Sequence, residues 1–157
     1  GVPVLQSFRG RTGDGMTFHI KFNVPGDVIP KQRPRVTAHG TYYPARPRGS
    51  KRLSYLEYRE LVQTACWNAM EERGDSSHRL RGAACWTGPW GLSIKARLGR
   101  GDADNCLGSI MDALQGILWQ DDAQVFQATV TLERVVLRLK DRGVDVEAWV
   151  LPEEKEE

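Results

Sequence analysis

The chain has 157 residues, 40% of them hydrophobic and 27% charged, with a formal net charge of +2. That length favours one domain with a real core, and the composition excludes a disordered, fibrous or membrane-spanning class. Cys66, Cys85 and Cys106 are widely spaced and include no CxxC pair, which argues against a zinc site and against a disulfide framework. Buried thiols in a reducing cytoplasm are the expectation.

Residues 1–15 show no periodicity and no secretory signal pattern. A strand pattern starts directly after Met16, so Met16 is read as the natural start and residues 1–15 as an extension or cloning remnant. Residues 16–152 then form the domain and 153–157 an acidic tail. Phe18, Ile20, Phe22 and Val24 alternate with polar residues as in a half-buried strand. Pro25, Gly26, Pro30 and Pro34 open a long basic loop. It carries Lys31, Arg33, Arg35, Arg46, Arg48, Lys51 and Arg52, with no acidic residue between 31 and 52, and includes Tyr42 and Tyr43. Such a loop suits phosphate contact, with the tyrosines packing on sugars or unstacked bases. A solvated, proline-stiffened loop is the plainer alternative.

Ser54 and Glu57 form a candidate capping box for a helix whose apolar face is Tyr58, Leu61, Val62, Ala65 and Ala69, with Gly74 as its stop. Leu92, Ile94, Ala96 and Leu98 mark a second strand. Leu107, Ile110, Met111, Leu114, Ile117 and Leu118 then give a second helix, expected over Asn105 to Leu118. Phe126, Ala128, Val130 and Leu132 alternate inward. The phase slips at Val135, which places a bulge or bend near Glu133 and Arg134. Arg142-Gly143 is a tight turn, and Val144, Val146, Ala148 and Val150 complete the last strand. The order predicts an α+β domain: a four-stranded mixed β-sheet with two main helices on one face.

The chemistry concentrates in the run GDADNCLGSIMDALQGILWQDDAQV, where Asp102 and Asp104 precede the second helix and Asp121 and Asp122 follow it. Asp102 or Asp104 alone would read as a helix cap, and Asp121 and Asp122 as a polar turn. Two pairs together suit a hard divalent cation, which takes oxygen ligands, and metal-assisted phosphodiester cleavage. Trp119, just before the second pair, is placed to buttress that turn. Across a helix of about 20 Å, Asp102 and Asp122 meet only if the chain doubles back or two subunits share the site.

GDADN, then DAL, then GILWQDDAQV, together with VPGDVIPKQRPRVT and TYYP upstream, resemble the RusA-like Holliday junction resolvases, and the upstream motif resembles their phage-type members. The resemblance implies the RusA-like fold, and a homodimer that binds branched DNA (four-way junctions) and nicks two strands symmetrically with Mg²⁺ or Mn²⁺ in recombination and repair. It implies a cytoplasmic setting in a bacterial or phage-infected cell, with no membrane partner. By motif, Asp102, Asp104 and Asp122 are the catalytic carboxylates, and Asp121 joins them as a metal ligand. Lys31, Arg33, Arg35, Tyr42, Tyr43, Arg46, Arg48, Lys51 and Arg52 are the DNA-binding candidates.

The family pattern has a lysine four residues after the second aspartate, where this chain has Gly108. Three readings stand: a nearby cation such as Lys95, Arg97 or Arg100 substitutes, the enzyme is slow or more metal-dependent, or the protein binds junctions without cutting them. A different nuclease or phosphotransferase using the same acidic cluster is a further possibility.

Overall fold

A computed structural model describes residues 18–31, 35–42, 52–72, 88–99, 102–134 and 139–152. The expectations for residues 1–15, for Gly74, Cys85, Arg100, Val135 and Leu137, and for the acidic tail lie outside these. The expected order is present: β1 (His19–Pro25), a short hairpin of β2 (Arg35–Thr37) and β3 (Gly40–Tyr42), α1 (Tyr55–Glu72), β4 (Trp90–Leu98), α2 (Ala103–Leu114), β5 (Val125–Arg134) and β6 (Gly143–Val150). The hairpin is the addition, set in the stretch read as loop. Gly40, at φ +124°, makes its turn possible, and the Thr37 hydroxyl donates to the Gly40 carbonyl at 3.2 Å.

The main sheet runs β1-β6-β4-β5. β6 is antiparallel to both β1 and β4, whereas β5 runs parallel to β4. The sheet is therefore mixed, and α2 is the return leg of the parallel crossover from β4 to β5. Three rows of side chains cross the helix-facing side. Ile20, Ala148, Leu92 and Ala128 form one, Phe22, Val146, Ile94 and Val130 the next, and Val24, Val144, Ala96 and Leu132 the third. On β6 and β4 every member of these rows is buried, while on the edge strand β5 Ala128 is exposed and Val130 and Leu132 are only half-buried. The alternation expected for β5 is thus correct in phase but not in depth. α1 and α2 pack on each other, α1 also against β1 and α2 also against β5 and β4.

Phe126 departs further. The register steps from Trp90–Val125 to Gly91–Gln127, so Phe126 is the extra residue of a bulge and is 71% exposed. This bulge lies at the start of β5; the strand ends at Arg134, and the phase slip expected from Val135 lies outside the described residues.

The Ser54–Glu57 capping box closes as expected. The Glu57 amide donates to Ser54 Oγ at 3.1 Å, and the Ser54 amide donates to Glu57 Oε1 at 2.9 Å. Tyr55, Tyr58, Val62, Cys66 and Met70 form the buried stripe of α1, with Leu61, Ala65 and Ala69 along its margin. α2 ends at Leu114, four residues before the expected Leu118. Gly116 adopts φ +90°, and its amide donates to the Trp119 carbonyl at 2.7 Å, so the chain turns while Ile117, Leu118 and Trp119 stay buried. Apolar spacing alone could not separate these three core residues from a further helical turn.

The opposite sheet face is polar and ion-paired. Lys95 meets Glu133 at 3.1 Å, and Arg97 meets Asp145 at 2.7 Å. Asn23 donates to Asp145 at 2.8 Å, and His19 bonds Glu147. On this face Gly91 leaves room for the Trp149 ring on the neighbouring strand; a Cβ at Gly91 would lie 2.3 Å from Trp149 Cε2. Gly91→Ala is therefore expected to cost about 1–3 kcal/mol by overpacking. Urea denaturation checks this, and the loss should shrink when Trp149→Ala is added.

The bond from Asn23, then the one from Arg97, hold the Asp145 carboxyl below its ordinary 3.8. A depressed folded value means that Asp145 contributes stability above the unfolded pKa and loses it as the pH falls through the folded one. The group is largely exposed, so the contribution stays under about 1 kcal/mol. Asp145→Asn should be slightly less stable than wild type at pH 7 and should converge with it below about pH 4. A constant gap in urea midpoint down to pH 2 would contradict this.

Candidate active site

Asp102 is the N-cap of α2, with extended backbone and a side-chain oxygen that accepts the Asn105 amide at 2.9 Å. Asp104 sits exposed in the first turn. Both carboxylates lie where the helix dipole favours negative charge. The second pair is built differently. Asp121 caps a single 3₁₀ turn, Asp122–Gln124, and accepts the Ala123 amide at 2.8 Å. Gln124 Oε1 accepts the amides of Gln120 and Asp121 at 2.9 and 3.1 Å, while its Nε2 donates to the Gly88 carbonyl at 3.0 Å. The glutamine of the DDAQV string thus closes the turn on itself and anchors it to the segment leading into β4.

Asp122 is aimed by the core. Trp119, fully buried, donates from Nε1 to Asp122 Oδ1 at 2.8 Å. Its ring packs edge-on against Trp90 at 5.6 Å, and Trp90 packs edge-on against Phe18 at 5.8 Å. The expected buttress is present, and it continues through the aromatic core to the start of β1.

The two pairs do not meet within one chain. β4 and β5 are in parallel register from Trp90–Val125 to Leu98–Arg134. Asp121 and Asp122 therefore stand beside the start of β4, and Asp102 and Asp104 follow its end. Nine residues of strand separate those ends by about 26 Å. Within one chain the four aspartates therefore stand as two pairs, the separation that the helix between them implies. Among the described residues, no three histidine, cysteine, aspartate or glutamate side chains come together to hold a metal ion. The donor chemistry suits a hard cation, but one chain supplies only half of it at either end.

Asp112, in the DAL string, was given no role from sequence, and the structure makes it a junction. Its side chain is 18% exposed. It accepts a hydrogen bond from the Tyr55 hydroxyl on α1, lies 3.4 Å from Lys31 Nζ and lies 3.6 Å from Arg59 Nη1. One turn back, the buried Ser109 hydroxyl donates to the Ile29 carbonyl at 2.5 Å. The entry to the basic segment is thus pinned to α2. A carboxylate on the half-buried face of a helix, beside an apolar stripe, was the only sequence signal for this.

Of the DNA-binding candidates, Lys31 is half-exposed at this junction and Arg52 is exposed. Arg35 and Tyr42 are backbone partners in the β2–β3 hairpin. Arg33, Tyr43, Arg46, Arg48 and Lys51 lie outside the described residues.

Of the cations proposed to replace the lysine missing at Gly108, Arg100 lies outside the described residues, and Lys95 and Arg97 are placed away from α2. Lys95 and Arg97 project to the ion-paired face, and Arg97 Nε also donates to the Asp141 carbonyl at 3.2 Å. A Cβ built at Gly108 meets nothing within 4 Å. In the same helix, burial, then the Asp102 charge, push the Cys106 thiol up to about 11, and Arg134 at the end of β5 pulls the other way.

Trp119→Phe keeps the ring packing and removes the donor to Asp122. It should lower stability by about 1 kcal/mol. A double-mutant cycle with Asp122→Ala isolates the bond, and a coupling energy near zero would mean that the indole does not hold the carboxylate.

The family model described as Endodeoxyribonuclease RusA matches residues 25–147, most of the chain. No curated protein matches.

Proposed function

The chain belongs to the RusA endodeoxyribonuclease family, and we propose that it acts as a homodimer that resolves four-way DNA junctions by paired, Mg²⁺- or Mn²⁺-dependent nicks, each site being shared between two subunits. The observation that carries this reading is the separation of the two aspartate pairs to opposite ends of β4 and β5. No single chain can use them together, yet a two-fold axis can.

β5 supplies the means. It is an edge strand of ten residues, and from Val125 to Leu132 it carries no charge and no proline. Natural edges are normally blunted by one or the other. Its core-side row is also only partly covered, with Ala128 exposed and Val130 and Leu132 half-buried. Two copies paired antiparallel along β5 would extend the sheet to eight strands and give that row side-chain neighbours on the adjoining strand. A two-fold contact is isologous. At full overlap, Val125 of one copy lies opposite Arg134 of the other. The Asp121–Asp122 turn of one subunit then approaches the Asp102–Asp104 end of its partner, twice.

In this arrangement Asp102 and Asp104 of one chain, with Asp121 and Asp122 of the other, hold the ion. A divalent cation held there supplies Lewis-acid stabilisation of charge on the phosphate and lowers the pKa of bound water. The residues of the chain do the positioning. The α2 cap fixes Asp102, the Trp119 indole fixes one oxygen of Asp122, and the Lys31 junction brings the basic segment to α2. DNA affinity comes from phosphate contacts by the basic candidates and falls with salt.

A specific observation favours one alternative: Gly108 leaves α2 without the family lysine, so the protein could bind junctions without cutting. A labelled junction with Mg²⁺, Mn²⁺ or chelator separates the two. Metal-dependent paired nicks support resolution, and tight binding with no nicks supports binding alone.

Shared sites make a sharper prediction. Asp104→Asn and Asp122→Asn homodimers should both be inactive. Mixed dimers should recover one intact site and nick a single strand of the junction. Absence of any nicking in the mixture, with heterodimers verified by native mass spectrometry, would sink the sharing.

A further inference from the structure

α2 lacks a positive charge where the family places one, and the surrounding elements identify a replacement. The parallel register sets Arg134 opposite Leu98, four residues before Asp102. Leu98 and Leu132 belong to the helix-facing alternation, and Arg134 continues it on β5. Arg134 is exposed at the end of the edge strand. α2 packs against β5 as well as β4. Among the described residues, Lys95 and Arg97 are turned to the opposite face and ion-paired.

We propose that Arg134 contacts the DNA phosphate at the cleavage site, supplying from the end of β5 the charge that α2 lacks at Gly108. The role rests on the shared-site reading above, because antiparallel pairing of β5 sets Arg134 between its own Asp102–Asp104 end and the Asp121–Asp122 turn of the second copy. Arginine suits the position, since its fork can engage two phosphate oxygens at once.

The test uses the full-length protein and a labelled four-way junction. Binding is measured in chelator over a range of salt, and nicking with Mg²⁺ at saturating protein. Arg134→Gln should flatten the dependence of log Kd on log salt by about one unit, the signature of one lost phosphate contact. Arg134→Lys should keep that slope. Nicking by Arg134→Gln should fall by about 100-fold, the scale of losing one transition-state charge partner. Adding Gly108→Lys to Arg134→Gln should restore both slope and rate, which a purely structural role for Arg134 would not allow. An unchanged slope in a folded Arg134→Gln variant overturns the proposal. So does failure of Gly108→Lys to rescue. If wild type binds but never nicks, the shared catalytic site falls, while the salt slope still decides whether Arg134 touches phosphate.

Discussion

A parallel pair of neighbouring strands cannot be joined by a tight turn. The chain must travel back the full length of the first strand before it can begin the second. Here α2 makes that return between β4 and β5. Everything at the two ends of α2 inherits the separation this imposes. Asp102 and Asp104 stand where the chain leaves β4, and Asp121 and Asp122 stand where it enters β5. The crossover that lets the sheet form is what divides the acidic residues into two pairs.

The aspartates also serve the fold. Asp102 starts α2, Asp121 closes the 3₁₀ turn, and Asp122 satisfies the indole of a buried tryptophan. Removing any of them therefore combines a structural and a chemical loss. An inactive variant is informative only beside its stability. Replacements that keep a hydrogen-bond acceptor, such as asparagine, separate the two contributions better than alanine does. The core reaches these groups directly, because Phe18, Trp90 and Trp119 form a chain of edge-on rings ending at Asp122.

Much of this was legible from the chain. Period-two alternation located all four strands of the main sheet, and the Ser54–Glu57 box marked the start of α1. The DADN and DDAQV strings marked both acidic turns and the tryptophan beside them. What was not legible has physical reasons. Ile117, Leu118 and Trp119 are as apolar as a helical turn, and only the backbone of Gly116 shows that α2 has ended. The apolar row of β5 reads as core, because alternation reports which face a residue occupies and not whether anything covers it. Asp112 was passed over because its partners, Lys31, Tyr55 and Arg59, are brought to it by tertiary packing. Arg134 looked like part of a bend, and only the register of β5 against β4 sets it opposite Leu98.

The junction at Asp112 has one more consequence. Lys31 enters it from the beginning of the basic segment, and Tyr55 enters it from the end. One carboxylate thus clasps the neck of the 23-residue stretch between them. Bringing the ends of such a stretch together costs entropy that grows only slowly with its length. That cost is met when the domain folds, before any ligand arrives. The stretch is thus closed at its base, with both stems fixed to the helix that carries Asp102 and Asp104.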